Sequence, residues 1–115
     1  MMDGGTSALL AVDVVDSADG PVLKLVGELD LSTVDTMVDL GRHALAGPPP
    51  TLLTVDLAGV EFCDSAGING LVKLRNASVE QGSQFRVAHP RPHVRRVLAD
   101  LTGLGEFLGI EAESE

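Results

Sequence analysis

The sequence predicts an α/β domain: a mixed β-sheet, made of an N-terminal antiparallel hairpin and parallel strands, flanked by helices. Three observations predict it. Two apolar runs, Leu10–Val15 and Val22–Val26, are separated only by turn-forming residues, Ser17-Ala18-Asp19-Gly20-Pro21, and strands so close in sequence pair most simply as a hairpin. From Leu31 the apolar period changes from strand-like to helix-like, and the two patterns then alternate along the chain. Each strand-helix-strand crossover forces its two strands to run parallel.

Each element has its own local cause. In the first strand Leu10, Val12 and Val14 alternate with Ala11, Asp13 and Val15, the period of a half-buried strand. The second, Val22-Leu23-Lys24-Leu25-Val26, leads into Gly27-Glu28-Leu29-Asp30. Ser32, with Asp35 three residues on, resembles a capping-box start, and Val34, Met37, Val38, Gly41 and Leu45 then mark one face at helical spacing. Gly47-Pro48-Pro49-Pro50 stops this helix, because proline lacks a backbone donor and biases the residue before it away from the helical region. Leu52–Leu57 is a short, branched, apolar run suited to a buried strand. Beyond Val60 and Phe62 lies the polar corner Cys63-Asp64-Ser65-Ala66-Gly67, followed by a second helical pattern with Ile68, Leu71, Val72 and Val79. Gln81-Gly82-Ser83 ends it, Phe85–Ala88 reads as the fourth strand, and Pro90 and Pro92 punctuate the next loop. Val94, Val97, Leu98 and Leu101 give the stripe of a third helix, closed by Gly103 as a C-cap. Phe107–Ile110 is a candidate edge strand, and Glu111–Glu115 an acidic end expected to fray. The domain is placed at residues 7–112, with 1–6 and 113–115 as flexible termini.

Composition narrows the function. At 115 residues the chain is one domain, long enough to bury roughly two thirds of its unfolded surface. Acidic residues outnumber basic ones 17 to 8, a formal charge of −9, which argues against nucleic acid as a partner. The basic cluster Arg91–Arg96 reads as a solvated helix face, and with no Trp or Tyr there is no stacking platform for single strands. The single Cys63 excludes an internal disulfide and points to a reducing, cytoplasmic setting. The run Ala8–Val15, broken by Asp13 and without flanking basic residues, reads neither as a signal peptide nor as a membrane span. No metal-ligand spacing occurs, and no cofactor is expected. The expected partner is a protein.

A serine at a strand-to-helix corner invites a hydrolase reading. A nucleophile elbow, however, needs glycines two residues either side of the serine; Gly67 is present but position 63 is Cys. His43, His89 and His93 follow no catalytic spacing and suit surface or loop positions. Neither a dinucleotide-binding nor a Walker A glycine pattern occurs. Gly67 and Gly70 instead let a helix sit close to the sheet or to a docking surface. Cys63 near a helix start suits a buried small hydrophobe better than a redox switch, since Asp64 beside it disfavours the thiolate. No enzymatic activity is expected.

The remaining reading makes Ser65 a substrate for phosphorylation. A helix N-terminus tolerates a phosphate, which would bring roughly −1.5 to −2 charges beside Asp64, with Asp30 at the neighbouring corner. Two like charges about 4 Å apart at an effective dielectric near 20 repel by about 4 kcal/mol, and each 1.4 kcal/mol is about tenfold in affinity. A docked partner could therefore be released without a change of fold. On local sequence alone the plainer role, a hydroxyl satisfying a backbone amide, is favoured.

Four segments change that weighting: Gly27-Glu28-Leu29-Asp30; Leu53–Leu57 followed by Gly59-Val60-Glu61-Phe62; Asp64-Ser65-Ala66-Gly67; and Val94-Arg95-Arg96-Val97-Leu98 before Leu101-Thr102-Gly103-Leu104. In order and spacing, from about Leu9 to Ile110, the chain resembles the STAS domain family, and within it the bacterial anti-sigma factor antagonists. The resemblance implies a single STAS-like domain that binds an anti-sigma factor with serine kinase activity, the partner binding the ATP, and so frees a sigma factor. It implies phosphorylation at Ser65 as the off switch and a PP2C-type phosphatase as the reset. Asp30, Asp64, Ser65, Ala66, Gly67 and Ile68 become the expected partner-binding residues. Ala66 stands where many relatives have a second serine. The alternative is a STAS scaffold or stressosome-like component that assembles with other STAS domains.

Overall fold

A computed structural model describes residues 5–7 and 9–110. Its elements are β1 (Gly5–Ser7), β2 (Leu10–Ser17), β3 (Gly20–Leu29), α1 (Val34–Leu45), β4 (Leu52–Cys63), α2 (Ser65–Glu80), β5 (Gln84–Ala88) and α3 (Pro92–Arg95), which widens into a π-helical turn over Arg96–Leu101. The strands lie in the order β1-β2-β3-β4-β5. β1, β2 and β3 pair antiparallel, whereas β3, β4 and β5 run parallel. The α/β class and the mixed sheet are as the sequence predicts.

The hairpin is tighter than its composition suggests. Ser17 pairs with Gly20, so only Ala18 and Asp19 turn, and the Ser17 hydroxyl donates to the Gly20 carbonyl at 2.7 Å. β1 is an addition, since the flexible terminus expected from the sequence includes residues that pair with β2 here. The remainder of the expected termini, residues 1–4 and 113–115, and the frayed end from Glu111 lie outside the described residues.

Apolar alternation places the core on one face of the sheet. Leu10 and Val12, Leu23 and Leu25, Leu53 and Val55, and Val87 are buried together with Val34, Met37, Val38 and Leu45 of α1 and Leu71 and Leu74 of α2. In β2, β3 and β4 the register Asp13–Lys24–Asp56 puts charged residues on the other face. Burying one large aliphatic side chain contributes about 1.5–3 kcal/mol, so this shared interior fixes which faces of α1 and α2 turn inward; in α2 that face holds Gly67, Gly70, Leu71, Leu74 and Ser78, and Val79 of the expected apolar pattern falls outside it, exposed. Two glycines of α2 set its depth. A methyl group on Gly67 would meet the Leu29 carbonyl oxygen at 2.7 Å and Cys63 Sγ at 2.8 Å, and one on Gly70 would collide with Val34 and meet Met37.

Three local readings are corrected. Helix α1 starts at Val34, not at a Ser32 box: Ser32 lies in the preceding loop, where its amide and hydroxyl donate to Asp30. β3 and β4 run on to Leu29 and Cys63, so the apolar approach to the corner is itself strand. Phe107–Ile110 is a set of turns, not a strand. The amides of Leu108, Gly109 and Ile110 bond back to Leu104, Glu106 and Gly105, so they are unavailable to β5, which gains only the bond from Val87 N–H to the Leu108 carbonyl at 3.0 Å. The segment still closes the core through buried Leu108 and Ile110, and Arg75 lies 4.0 Å over the Phe107 ring. The third helix buries Val94 and Leu98, and Gly103 takes the expected left-handed conformation after it, φ 73°, with its amide on Ala99.

Candidate functional site

The sheet register brings two corners together. Leu29 of β3 pairs with Cys63 of β4, and the residue that follows each strand is an aspartate, Asp30 and Asp64. The Asp64 amide donates to the Leu29 carbonyl at 3.2 Å, so the second corner is bonded to the end of the first strand. In a mixed or parallel sheet the carboxyl ends of the strands are where function is commonly placed.

Asp64 is the N-cap of α2. Its backbone is extended (φ −105°, ψ −171°), and Oδ1 accepts the amides of Ala66 at 2.9 Å and Gly67 at 3.1 Å. This carboxylate satisfies two of the donors that a helix start leaves open. The plainer role for Ser65 is thereby taken by its neighbour. Ser65 is the first residue of α2, is exposed, and its hydroxyl makes no hydrogen bond among the described residues. Ala66 and Ile68 are half-buried behind it and Gly67 is buried.

Asp30 closes a different kind of corner. Its Oδ1 accepts the Ser32 amide at 3.0 Å and the Ser32 hydroxyl at 2.8 Å. Its own amide donates to Thr33 Oγ1 at 2.9 Å, and that hydroxyl donates to the Glu28 carbonyl at 2.9 Å. The Ser32 hydroxyl above all, supported by the amides of Ser32 and Thr33, holds the Asp30 carboxyl below its ordinary pKa and outweighs the opposing desolvation. Buried Thr33 is a loop organiser that sequence reasoning missed. Its signal was an Asp-x-x-Thr spacing just before a helix.

Large apolar side chains flank both corners in solvent. Leu31, next to Asp30, is 79% exposed and Phe62, two residues before Asp64, is 48% exposed. Neither was among the expected partner-binding residues. No local sequence signal marked either of them.

Cys63 lies beneath the corner. Burial, with the Asp64 carboxylate adding to it, pushes the thiol up to about 12, so the reactive thiolate is absent at neutral pH. Of the histidines, His43 lies in the last turn of α1, His89 has a left-handed backbone (φ 56°), and His93 lies on Glu61 of β4, its Nε2 2.6 Å from the carbonyl. Among the described residues no group of three or more His, Cys, Asp and Glu is placed to hold a metal ion. No helix among them is long and apolar enough to cross a membrane.

Comparison with known proteins agrees with the fold. The family model described as "Mlab, STAS domain" matches residues 12–109. An anti-sigma factor antagonist from Mycobacterium paratuberculosis superposes with a TM-score of 0.75 at 26% identity, over 86% of this chain and 82% of that one. The anti-sigma factor antagonist SpoIIAA in its unphosphorylated form gives 0.74 at 22% identity, over 91% and 90%. The Bacillus cell fate determinant SpoIIAA in its phosphorylated form gives 0.68 at 21% identity, over 91% and 93%. With the family model covering most of the chain and both corners falling inside the match, this protein belongs to the STAS domain family.

Proposed function

We propose that this chain is an anti-sigma factor antagonist, switched off by phosphorylation of Ser65. It binds an anti-sigma factor that is also a serine kinase, and so releases a sigma factor for transcription. The observation that carries the reading is the free Ser65 hydroxyl. It stands exposed at the start of a 16-residue helix while Asp64 does the capping. A kinase can therefore take Ser65 without first breaking a bond that holds the fold.

The surroundings support an electrostatic switch. Leu31 and Phe62 leave exposed apolar surface beside the two aspartates, which a docked partner would cover. A phosphate on Ser65 meets favourable helix-terminal amides, so the domain stays folded. The partner, by contrast, meets new negative charge next to Asp64 and Asp30. Asp30 shapes the docking rim, and Asp64 positions the serine for the kinase. The structures of SpoIIAA in unphosphorylated and phosphorylated forms support a fold that accommodates a phosphate. A PP2C-type phosphatase restores the active form, in the cytoplasm, and no residue of this chain is assigned a catalytic role.

A pull-down from host lysate tests this, using wild-type protein and Ser65→Ala, with and without added ATP, with phosphate mapped by mass spectrometry. The expected result is capture of a kinase-like anti-sigma factor that ATP releases from wild type but not from the variant. Capture of other STAS proteins alone, with Ser65 unmodified, would replace this reading with the scaffold alternative.

A further inference from the structure

We propose that Arg91 and His93, at the start of the third helix, are positioning residues that clamp the approach to Ser65. The reason lies in β4. Its pairing with β5 ends at Asp56, opposite Ala88, so from Leu57 onward its one strand partner among the described residues is β3. That same half is irregular. Between the pairs Lys24–Asp56 and Val26–Gly59, β3 has Leu25 alone where β4 has Leu57 and Ala58. Between Gly27–Val60 and Glu28–Phe62, β4 inserts Glu61 with no counterpart. Each bulge leaves backbone groups outside the ladder, and unpaired backbone groups need partners.

Side chains supply partners at both bulges. Asp56 Oδ1 accepts the Ala58 amide at 2.9 Å. The Ala58 carbonyl accepts from Arg91 Nε at 2.9 Å, and the Glu61 carbonyl accepts from His93 Nε2 at 2.6 Å. A carbonyl can only accept, so Nε2 carries the proton. One bond from the start of the third helix reaches each bulge, from Arg91 and His93, which flank Pro92, whose ring presets the backbone at the first position of the helix. The regular half of β4, held between two strands, has no such contact in the described residues. Both side chains are exposed, so truncating them opens no cavity in the core. What they restrain is the segment that runs through Phe62 and Cys63 into the Asp64-Ser65 corner. The consequence for phosphorylation rests on the reading of Ser65 as the switch; the clamp itself does not.

Amide hydrogen exchange on the whole chain, by NMR, tests the clamp. In R91A/H93A the amides from Ala58 to Gly67 should exchange at least about tenfold faster, while those of Leu10–Leu23 keep their rates. R91Q/H93Q should restore the wild-type rates, because glutamine carries its amide nitrogen the same number of bonds from the backbone as arginine Nε and histidine Nε2. Unchanged exchange in the alanine pair, or exchange in the glutamine pair as fast as in the alanine pair, overturns the proposal. If the alanine pair loosens the whole chain, His93→Ala alone decides: acceleration confined to Ala58–Gly67 supports the clamp, and uniform or no acceleration removes it. With ATP and host lysate, phosphate on Ser65 should fall by a similar factor in the alanine pair and return in the glutamine pair. Wild-type protein that gains no phosphate there would sink the kinase reading and leave the clamp to be judged by exchange alone.

Discussion

The two corners at the carboxyl ends of β3 and β4 carry the same residue type and use it differently. At the first, the Asp30 carboxylate turns inward on its own loop and engages both donors of Ser32, so that serine is tied down. At the second, the Asp64 carboxylate caps α2 and leaves the adjacent Ser65 hydroxyl with no bond to keep among the described residues. One aspartate consumes a serine and the other frees one. A modifiable residue is best placed where something else does the structural work, and these corners show both arrangements in adjacent strands.

The comparison can be broken at several points. The largest effect is expected for Ser65→Asp, which puts charge on the free serine: partner affinity should fall several hundredfold, from about 4 kcal/mol of repulsion, with an unchanged circular dichroism spectrum. Loss of the fold instead would make the serine structural. Gly67→Ala attacks the packing that holds the two corners together, since its methyl group meets the Leu29 carbonyl, which cannot swing aside. Chemical denaturation should show a loss of about 1–3 kcal/mol, and full stability would mean that α2 is not fixed by that contact.

Asp64→Ala removes the cap. It should cost about 1 kcal/mol, largely recovered by Asp64→Ser or Asp64→Asn, which keep an acceptor; equal losses in all three would mean that charge, not capping, is what Asp64 supplies. The smallest effect concerns Asp30 and acid. Its carboxyl titrates below the ordinary value of 3.8 in the folded chain. The unfolded chain therefore takes up the proton first as pH falls, and the stabilisation by ionised Asp30 is full above the unfolded value and lost through the folded one. The stability difference between wild type and Asp30→Asn should accordingly be constant near neutrality and shrink in acid. A difference that does not change with pH would remove the Ser32 bonds as its cause.

Much of the fold was legible because its signals are local. The Val34–Leu45 stripe, the proline stop and the Gly103 cap each lie within a few residues of what they determine, and all three stand as read. The misreadings occurred where two local options competed. Ser32 with Asp35 satisfies a capping pattern, but the Asp30 carboxylate lies closer and takes both Ser32 donors. Phe107–Ile110 is apolar enough for a strand, yet its amides find carbonyls within their own turns. Of the candidate site, the corner and its aspartates were legible, whereas exposed Leu31 and Phe62 were not, because exposure depends on what the rest of the chain covers.

By itself the sequence determined the alternation of strands and helices from the hairpin to the third helix, the inward face of α1 and the polar corner that holds Ser65, because periodicity, proline and capping act over one or two turns of chain. Only the tertiary structure decided which aspartate caps a helix and which closes a loop. It alone brought Arg91 and His93 to bulges more than thirty residues back along the chain. The reason is that an unpaired backbone group is satisfied by whichever donor packing brings within about 3 Å, and that choice is made by the assembled sheet.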